Sequence, residues 1–125
     1  MRGVTHAILG TRTLPNGPIL EVGCGGGAFL TEMTACHPER TILGIDANPA
    51  ALAWSKQGYG ATHALAQADL HHLPFPDSTL GALVGLDAYD QTGVELDTAL
   101  AESWRVLRPG SVLLVRVSAY RWLWG

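Results

Sequence analysis

Residues 19–30 read ILEVGCGGGAFL, and the change of pattern within this stretch decides the fold. The branched apolar residues over 18–23 predict a buried strand, and the spacing of apolar residues over 27–36 predicts a helix. Four of the five positions from Gly23 to Gly27 are glycine, which tolerates positive φ and lets the backbone approach a ligand closely. A strand, a glycine turn and a helix in this order predict a ligand at the turn. A tight turn that only packs the helix on its strand is the alternative.

The rest of the chain repeats this alternation of strand and helix. Four more strands are predicted, over 41–46, 62–69, 80–87 and 111–117. Asn48 and Pro49 predict the start of a helix that runs through Lys56. A later helix is predicted from a capping box of Thr92 and Glu95 to a stop at 109–110, with apolar residues at helical spacing: Leu96, Leu100, Trp104 and Leu107.

Strands that alternate with helices and read as continuous apolar runs indicate a parallel sheet covered on both faces. We therefore predict an α/β fold: one doubly wound, mostly parallel Rossmann-like sheet of about five strands with helices on both faces. No linker or internal repeat divides the chain, so residues 1–125 are predicted to form a single domain.

Composition excludes several classes of function. The net charge is −3 and the eight Lys and Arg are scattered, which disfavours a nucleic-acid partner. No apolar run reaches the roughly 18 residues of a membrane span. Cys24 and Cys36 form no CxxC pair, which predicts reduced thiols and a cytoplasmic protein. The five histidines lack metal-ligand spacing, so no metal is predicted.

Two carboxylates stand at the ends of predicted strands. Asp46 follows the glycine turn by about 20 residues, where an acidic residue binds ribose hydroxyls in dinucleotide-type folds. Asp69 ends the third strand, where a carboxylate can accept a hydrogen bond from an adenine amino group. Either residue could instead be an ordinary helix cap or turn residue.

The segments EVGCGGG, GIDANPAAL, AQADLHHLPFPDSTLGALV and ESWRVLRPGSVLLV resemble, in order and spacing, class I S-adenosylmethionine-dependent methyltransferases of the small-molecule type. The resemblance covers about residues 18–125. It implies S-adenosyl-L-methionine as cofactor, a small-molecule substrate and methyl transfer as the activity. It also implies that the last strands of the usual fold are lacking, since the chain ends after the fifth.

The resemblance assigns roles residue by residue. It implies that Asp46 binds the ribose and that Asp87 faces the methionine end and the incoming substrate. The cofactor-binding residues implied in all are Glu21, Gly23, Gly25, Gly27, Asp46, Asp69, Leu70 and Asp87.

A nicotinamide cofactor is the competing interpretation, because GCGGGA also satisfies G-x-G-x-x-A. Glu21 argues against it, since a carboxylate near the turn would repel a pyrophosphate but suits a cationic sulfonium and ammonium. The glycines are not followed by G-K-[ST], so a Walker-type phosphate loop is excluded.

The acceptor side is less defined. Tyr89 and Asp90 follow the fourth strand and are candidates for contact with the substrate, whereas His71 and His72 are expected in an exposed loop. No residue is identified as a general base. The segment LDAYD lacks the [DN]-P-P-[YF] sequence of enzymes that methylate bases, which again disfavours nucleic acid.

Two further expectations concern assembly. If the usual last strands are lacking, the fifth strand has a bare edge, which predicts a homodimer through that edge. The alternative to an enzyme is a non-catalytic cofactor-binding remnant or module that depends on a partner chain.

Overall fold

The computed structural model describes residues 13–25, 28–53 and 64–117. They contain one sheet of five parallel strands in the order β3-β2-β1-β4-β5. This confirms the predicted fold class. The strands are β1 (Ile19–Val22), β2 (Ile42–Asp46), β3 (Ala64–Gln67), β4 (Leu80–Gly85) and β5 (Leu107–Val115).

Helices cover both faces of this sheet. Helix α1 (Ala28–Cys36) buries Phe29, Leu30 and Met33 against one face. Helix α2 (Leu96–Val106) packs on the other. Every residue of the central strands β1 and β4 is buried, as expected for strands enclosed on both sides. Within the described ranges, none of the helices is long and apolar enough to cross a membrane.

The helix predicted after β2 begins where the sequence indicated. Residues 49–53 are helical, and the side chain of Asn48 accepts a hydrogen bond from the Ala50 N–H at 2.9 Å. This is the geometry of an N-cap. The rest of this predicted helix, through Lys56, lies outside the described residues.

The predicted start of α2 is wrong. The helix begins at Leu96 with Glu95 as its N-cap, so Thr92 is not the N-cap and the predicted capping box does not start this helix. Gly93 explains the difference, because its φ of +89° takes the backbone out of the helical region between these two residues.

The apolar stripe read from the sequence also does not face the core. Leu96 and Leu100 are each 36% exposed and Trp104 is 82% exposed. The side of α2 that contacts the sheet instead carries Ala99, Ser103 and Val106. Small residues there let the helix approach the sheet closely, which leaves the larger apolar side chains on the outside.

The predicted end of α2 is wrong as well. The helix ends at Val106, where the N–H groups of Ser78 and Thr79 donate to the carbonyls of Arg105 and Val106 at 2.9 and 2.8 Å. These bonds satisfy two of the carbonyls that a helix end leaves free. Pro109 and Gly110 therefore lie within β5, where the pairing with β4 shifts register.

The motifs LPFPD and RVLRPG are joined by one side chain. The Arg105 guanidinium donates to the carbonyls of Leu73 and Phe75 at 3.0 and 2.8 Å, and it forms an ion pair with Asp77. Glu102 bonds to Arg105 and also accepts the Leu73 N–H at 2.8 Å. The two motifs therefore hold the loop after β3 onto α2.

A substitution at Gly85, the last residue of β4, tests the packing beneath α2. A Cβ at this position would collide with the ring of Tyr89. We predict that Gly85→Ala lowers the free energy of unfolding by about 1–3 kcal/mol, because the core must shift to admit the methyl group. Urea unfolding followed by circular dichroism measures this. Gly85→Ala should cost less stability in a Tyr89→Leu background than in the wild-type protein, because the ring that collides with the methyl group is then absent. An equal cost in both backgrounds would contradict this explanation.

Candidate functional site

A pocket of about 780 Å³ opens at the carboxyl ends of β1, β2 and β4. This is the edge of a parallel sheet where ligands bind in doubly wound folds. The structure brings six of the eight predicted cofactor-binding residues into its lining: Gly23, Gly25, Asp46, Asp69, Leu70 and Asp87. Gly27 lies outside the described residues, and Glu21 is buried on β1.

The glycine turn is closed onto β2. The N–H groups of Gly23 and Cys24 both donate to the Ile45 carbonyl, at 2.8 and 3.1 Å. Gly23 and Gly25 have φ values of +68° and +52°, a region that favours glycine. We expected the N–H groups of this turn to approach a ligand; those of residues 23–25 are instead bonded within the protein.

Asp46 completes this closure. Its Oδ2 accepts the Gly25 N–H at 3.0 Å, and its Oδ1 accepts the Asn48 N–H at 2.9 Å. Asp46 therefore connects the turn, the end of β2 and the following helix. A carboxylate offers about four lone-pair positions, so these two bonds leave acceptor capacity toward the pocket.

Glu21 has the most unusual environment near the pocket. Its side chain is 5% exposed, and its Oε1 has no hydrogen-bond partner among the described residues. Burial raises its pKa to about 9, with further contributions from the negative charges of Asp87 and Asp46. Glu21 is therefore protonated at neutral pH. A cation beside it would favour the ionised form.

Asp87 is partly neutralised by a residue at the end of β5. Its Oδ1 lies 2.8 Å from Nη2 of Arg116, whose Nε donates to the Leu86 carbonyl at 2.9 Å. The side chain of Asp87 is 74% exposed, so it remains accessible from the pocket. The Asp87 carbonyl also accepts a bond from the Gln91 side chain.

Asp69 and Leu70 follow β3 on the opposite side of the pocket. Oδ1 of Asp69 accepts the N–H of His71 at 2.9 Å and lies 2.7 Å from His71 Nδ1. These bonds lower the pKa of Asp69, and the bond from the His71 backbone N–H contributes most. Leu70 is 8% exposed and supplies an apolar patch to the lining.

The substrate-side candidates do not line the pocket. Tyr89 is 2% exposed, and its hydroxyl lies 2.6 Å from Oγ of Ser103, which itself donates to the Ala99 carbonyl. The Tyr89 hydroxyl is therefore the donor in this pair. Burial raises its pKa. The hydrogen bond from Tyr89 to Ser103 connects α2 to the segment after β4. The geometry therefore gives no support to a role for Tyr89 in substrate binding. Asp90 is likewise not part of the lining.

Sequence reasoning missed one side of the pocket. The segment after β4 contributes Gln91, Thr92, Gly93 and Val94 to the lining, and His71 contributes from the loop after β3. Glycine at position 93 was the available signal, because a glycine between a capping residue and a helix indicates a change of direction. The part of the chain that the structure describes holds no group of three side chains placed to bind a metal.

Cys24 lies in the turn but is not a nucleophile. It is 5% exposed, and burial, with the nearby Glu21 and Asp46, raises the pKa of its thiol to about 12. A thiol that stays protonated cannot attack, since the thiolate is the reactive form.

Comparison with known proteins gives the family. Residues 20–115 match the methyltransferase domain model. A fatty-acid O-methyltransferase of Mycolicibacterium smegmatis is 31% identical over 77% of this chain and 35% of its own length. A malonyl-[acyl-carrier protein] O-methyltransferase of Serratia marcescens is 32% identical over 90% of this chain and 43% of its own length. The chain thus spans less than half of either relative.

A solved structure shows the same fold. A putative S-adenosyl-L-methionine-dependent methyltransferase of Methanococcus maripaludis superposes with a TM-score of 0.75 at 18% identity, over 91% of this chain and 53% of that one. The methyltransferase family predicted from the motifs is confirmed. The match over residues 20–115, together with the fold, shows that this chain belongs to the methyltransferase domain family.

Proposed function

We propose that this chain binds S-adenosylmethionine in the pocket at the ends of β1, β2 and β4 and belongs to an enzyme that methylates a small organic molecule. The observation that carries the proposal is the buried carboxyl group of Glu21, near Asp46 and Asp87, whose Oε1 has no hydrogen-bond partner among the described residues. Such a group calls for a cation, because ionising it in place without a counter-charge is costly. S-adenosylmethionine brings two cations, an ammonium and a sulfonium.

The same site is unsuited to a nicotinamide dinucleotide. A pyrophosphate binds through free N–H groups at a glycine turn, but those of Gly23, Cys24 and Gly25 are bonded to Ile45 and Asp46. Carboxylates at this edge would also repel its charge. Charge and hydrogen bonding therefore favour the same cofactor.

The residues suggest how a bound cofactor would be arranged. Asp46 would accept the ribose hydroxyls, while Asp69 and Leu70 would hold the adenine. Glu21 would hold the ammonium, with Asp87 close to the reacting end. When bound, the cofactor supplies an electrophilic methyl group on a cationic sulfur. The protein would contribute mainly by holding the acceptor in line with the reacting bond and by excluding water.

The acceptor we propose is a small organic molecule that is nucleophilic without a strong base. The histidine in the lining, His71, has both ring nitrogens engaged, and the Tyr89 hydroxyl is buried against Ser103. A general base is needed only when the acceptor atom carries a proton at working pH. The two curated relatives described above are named for a fatty acid and a malonyl group, both of which contain carboxyl groups. A carboxylate meets the requirement.

Binding of S-adenosylhomocysteine tests the proposal directly. We predict that calorimetry detects this ligand but not NADH. Asp46→Ala should weaken binding by about 10- to 150-fold, since charge-assisted hydrogen bonds to the ribose are lost. Asp97→Ala, which removes a carboxylate from the first turn of α2 outside the pocket, is the matched control and should bind normally. NADH binding alone, or equal loss in both variants, would refute the assignment.

Glu21 gives a second prediction through proton release. The free protein holds a proton with a pKa of about 9, and an ammonium beside the carboxyl group lowers that pKa. Binding near pH 7 should therefore release up to about one proton, and affinity should rise with pH toward 9. Calorimetry in two buffers of different ionisation enthalpy measures the release. Glu21→Gln lacks this proton but keeps the other titrating groups, so equal release in both proteins would exclude Glu21.

Binding without turnover would favour the second candidate function, a cofactor-binding module that depends on a partner chain. Screening carboxylic acids with labelled S-adenosylmethionine distinguishes the two functions. Product formation by the isolated chain would exclude the module.

We also propose a homodimer through the edge of β5. Among the described residues β5 pairs only with β4, and the nearby outer face of α2 exposes Leu100 and Trp104. An exposed strand edge beside apolar side chains favours pairing with a second chain. Sedimentation velocity should show a concentration-dependent dimer that Trp104→Lys weakens. A monomer at all concentrations would contradict this.

A further inference from the structure

His71 connects the two sides of the pocket. One side is the loop after β3, which contributes residues 68–71 to the lining. The other is the segment after β4, which contributes residues 87, 88 and 91–94 and leads directly into Glu95 and α2. The imidazole of His71 makes a hydrogen bond to each side.

The direction of these bonds defines the state of the imidazole. Nε2 lies 2.8 Å from the Glu95 N–H, which can only donate, so Nε2 must be the acceptor. Nδ1 lies 2.7 Å from Oδ1 of Asp69, an acceptor, so Nδ1 carries the proton. The ring is thus neutral, and protonating Nε2 would place two donors against each other.

The bond to Glu95 satisfies an N–H group at the start of a helix. Glu95 is the N-cap residue of α2, and its own side chain forms no capping bond. Gly93, with φ of +89°, turns the chain immediately before it. His71 therefore fixes the point where the second side of the pocket joins a rigid helix, and it does so from the loop that carries Asp69 and Leu70.

We propose that His71 is a positioning residue that holds the two sides of the pocket at the separation the cofactor requires, and that protonation of its ring releases the bond to α2. This inference rests on the proposed function, since it assumes that the pocket binds S-adenosylmethionine. His71 itself is not assigned a part in methyl transfer.

Several titratable groups lie around His71 and face the same pocket. Asp69 contacts the ring, His72 and Glu95 adjoin the bonded groups, and Asp46 and Asp87 line the same pocket. Buried Glu21 also responds to the charges of these last two residues. A pH profile of the wild-type protein alone would therefore mix these effects. The ratio of two proteins that differ only at position 71 removes them.

Three substitutions separate the two bonds. Gln can place an oxygen near Nε2 and accept the Glu95 N–H, but it lacks the donor to Asp69. Asn can place its amide near Nδ1 and donate to Asp69, but it does not reach Glu95. Phe keeps the ring and loses both bonds. His72→Asn is the matched control, because this neighbouring histidine is exposed and its side chain lies outside the pocket lining.

Calorimetry with S-adenosylhomocysteine at about pH 8 provides the first readout. We expect His71→Asn to raise the dissociation constant about 3- to 10-fold, the range for loss of one neutral hydrogen bond, and His71→Phe, which loses both bonds, to raise it at least as much. His71→Gln and His72→Asn should stay close to wild type. If His71→Asn binds like wild type while His71→Gln is weak, the bond to Asp69 is the important one and the inference is wrong. Equal affinity in all four variants also refutes it.

Lowering the pH tests the release. An imidazolium has no acceptor at Nε2, so between about pH 8 and about pH 5.5 the wild-type protein should lose affinity relative to His71→Gln by a similar factor. A constant ratio would refute the release. If wild type binds no S-adenosylhomocysteine at any pH, the proposed function fails and this inference fails with it; normal wild-type binding with unaffected variants removes only the inference.

A readout without ligand separates positioning from a fold defect. Hydrogen exchange of the Glu95 amide should be slow in wild type and His71→Gln and faster in His71→Asn and His71→Phe. Thermal melting shows whether each variant is folded. If His71→Phe does not fold, the comparison of His71→Gln with His71→Asn still tests the inference. Equal Glu95 exchange in these two variants would show that the bond from Glu95 is not made.

Discussion

The turn after β1 is held to the end of β2 by three N–H groups. Those of Gly23 and Cys24 converge on one carbonyl of Ile45, and that of Gly25 reaches the carboxylate of Asp46. Positive φ at both glycines makes this closure possible. Because β1 and β2 are neighbours in the sheet, the closure brings the turn and the strand-end carboxylate to one edge. That contact shapes the edge where the pocket opens, and the positive φ values favour glycine at positions 23 and 25.

The charge of the pocket follows from the same arrangement. Glu21 lies on a strand that is buried throughout, so its carboxyl group loses water and keeps a proton at neutral pH. Asp87 lies near enough to strengthen this effect, although Arg116 offsets part of its charge. An acidic group that is neutral when the site is free and ionised when a cation binds couples affinity to protons. This coupling distinguishes a site for a cationic cofactor from a phosphate-binding turn.

Helix α2 is positioned by polar contacts more than by its own apolar residues. Tyr89 and Ser103 join it to the sheet, and Arg105 joins its last turn to the loop after β3. At its first turn, the N–H of Glu95 bonds to His71. The helix is therefore connected at its start to the side of the pocket that carries Asp69 and Leu70, and at its end to the loop that continues from that side. Movement of this loop and of α2 should be linked.

The five parallel strands, the glycine turn and the strand-end carboxylates could be predicted from the sequence, because apolar runs, glycine clusters and strand ends are local signals. The buried face of α2 could not, since it depends on close packing against the sheet, which favours Ala99 and Ser103 over Leu100 and Trp104. The tertiary structure also determines that the N–H groups of Gly23, Cys24 and Gly25 are bonded within the protein and that His71 connects the pocket sides. These contacts join residues 20 or more positions apart, which no local pattern records.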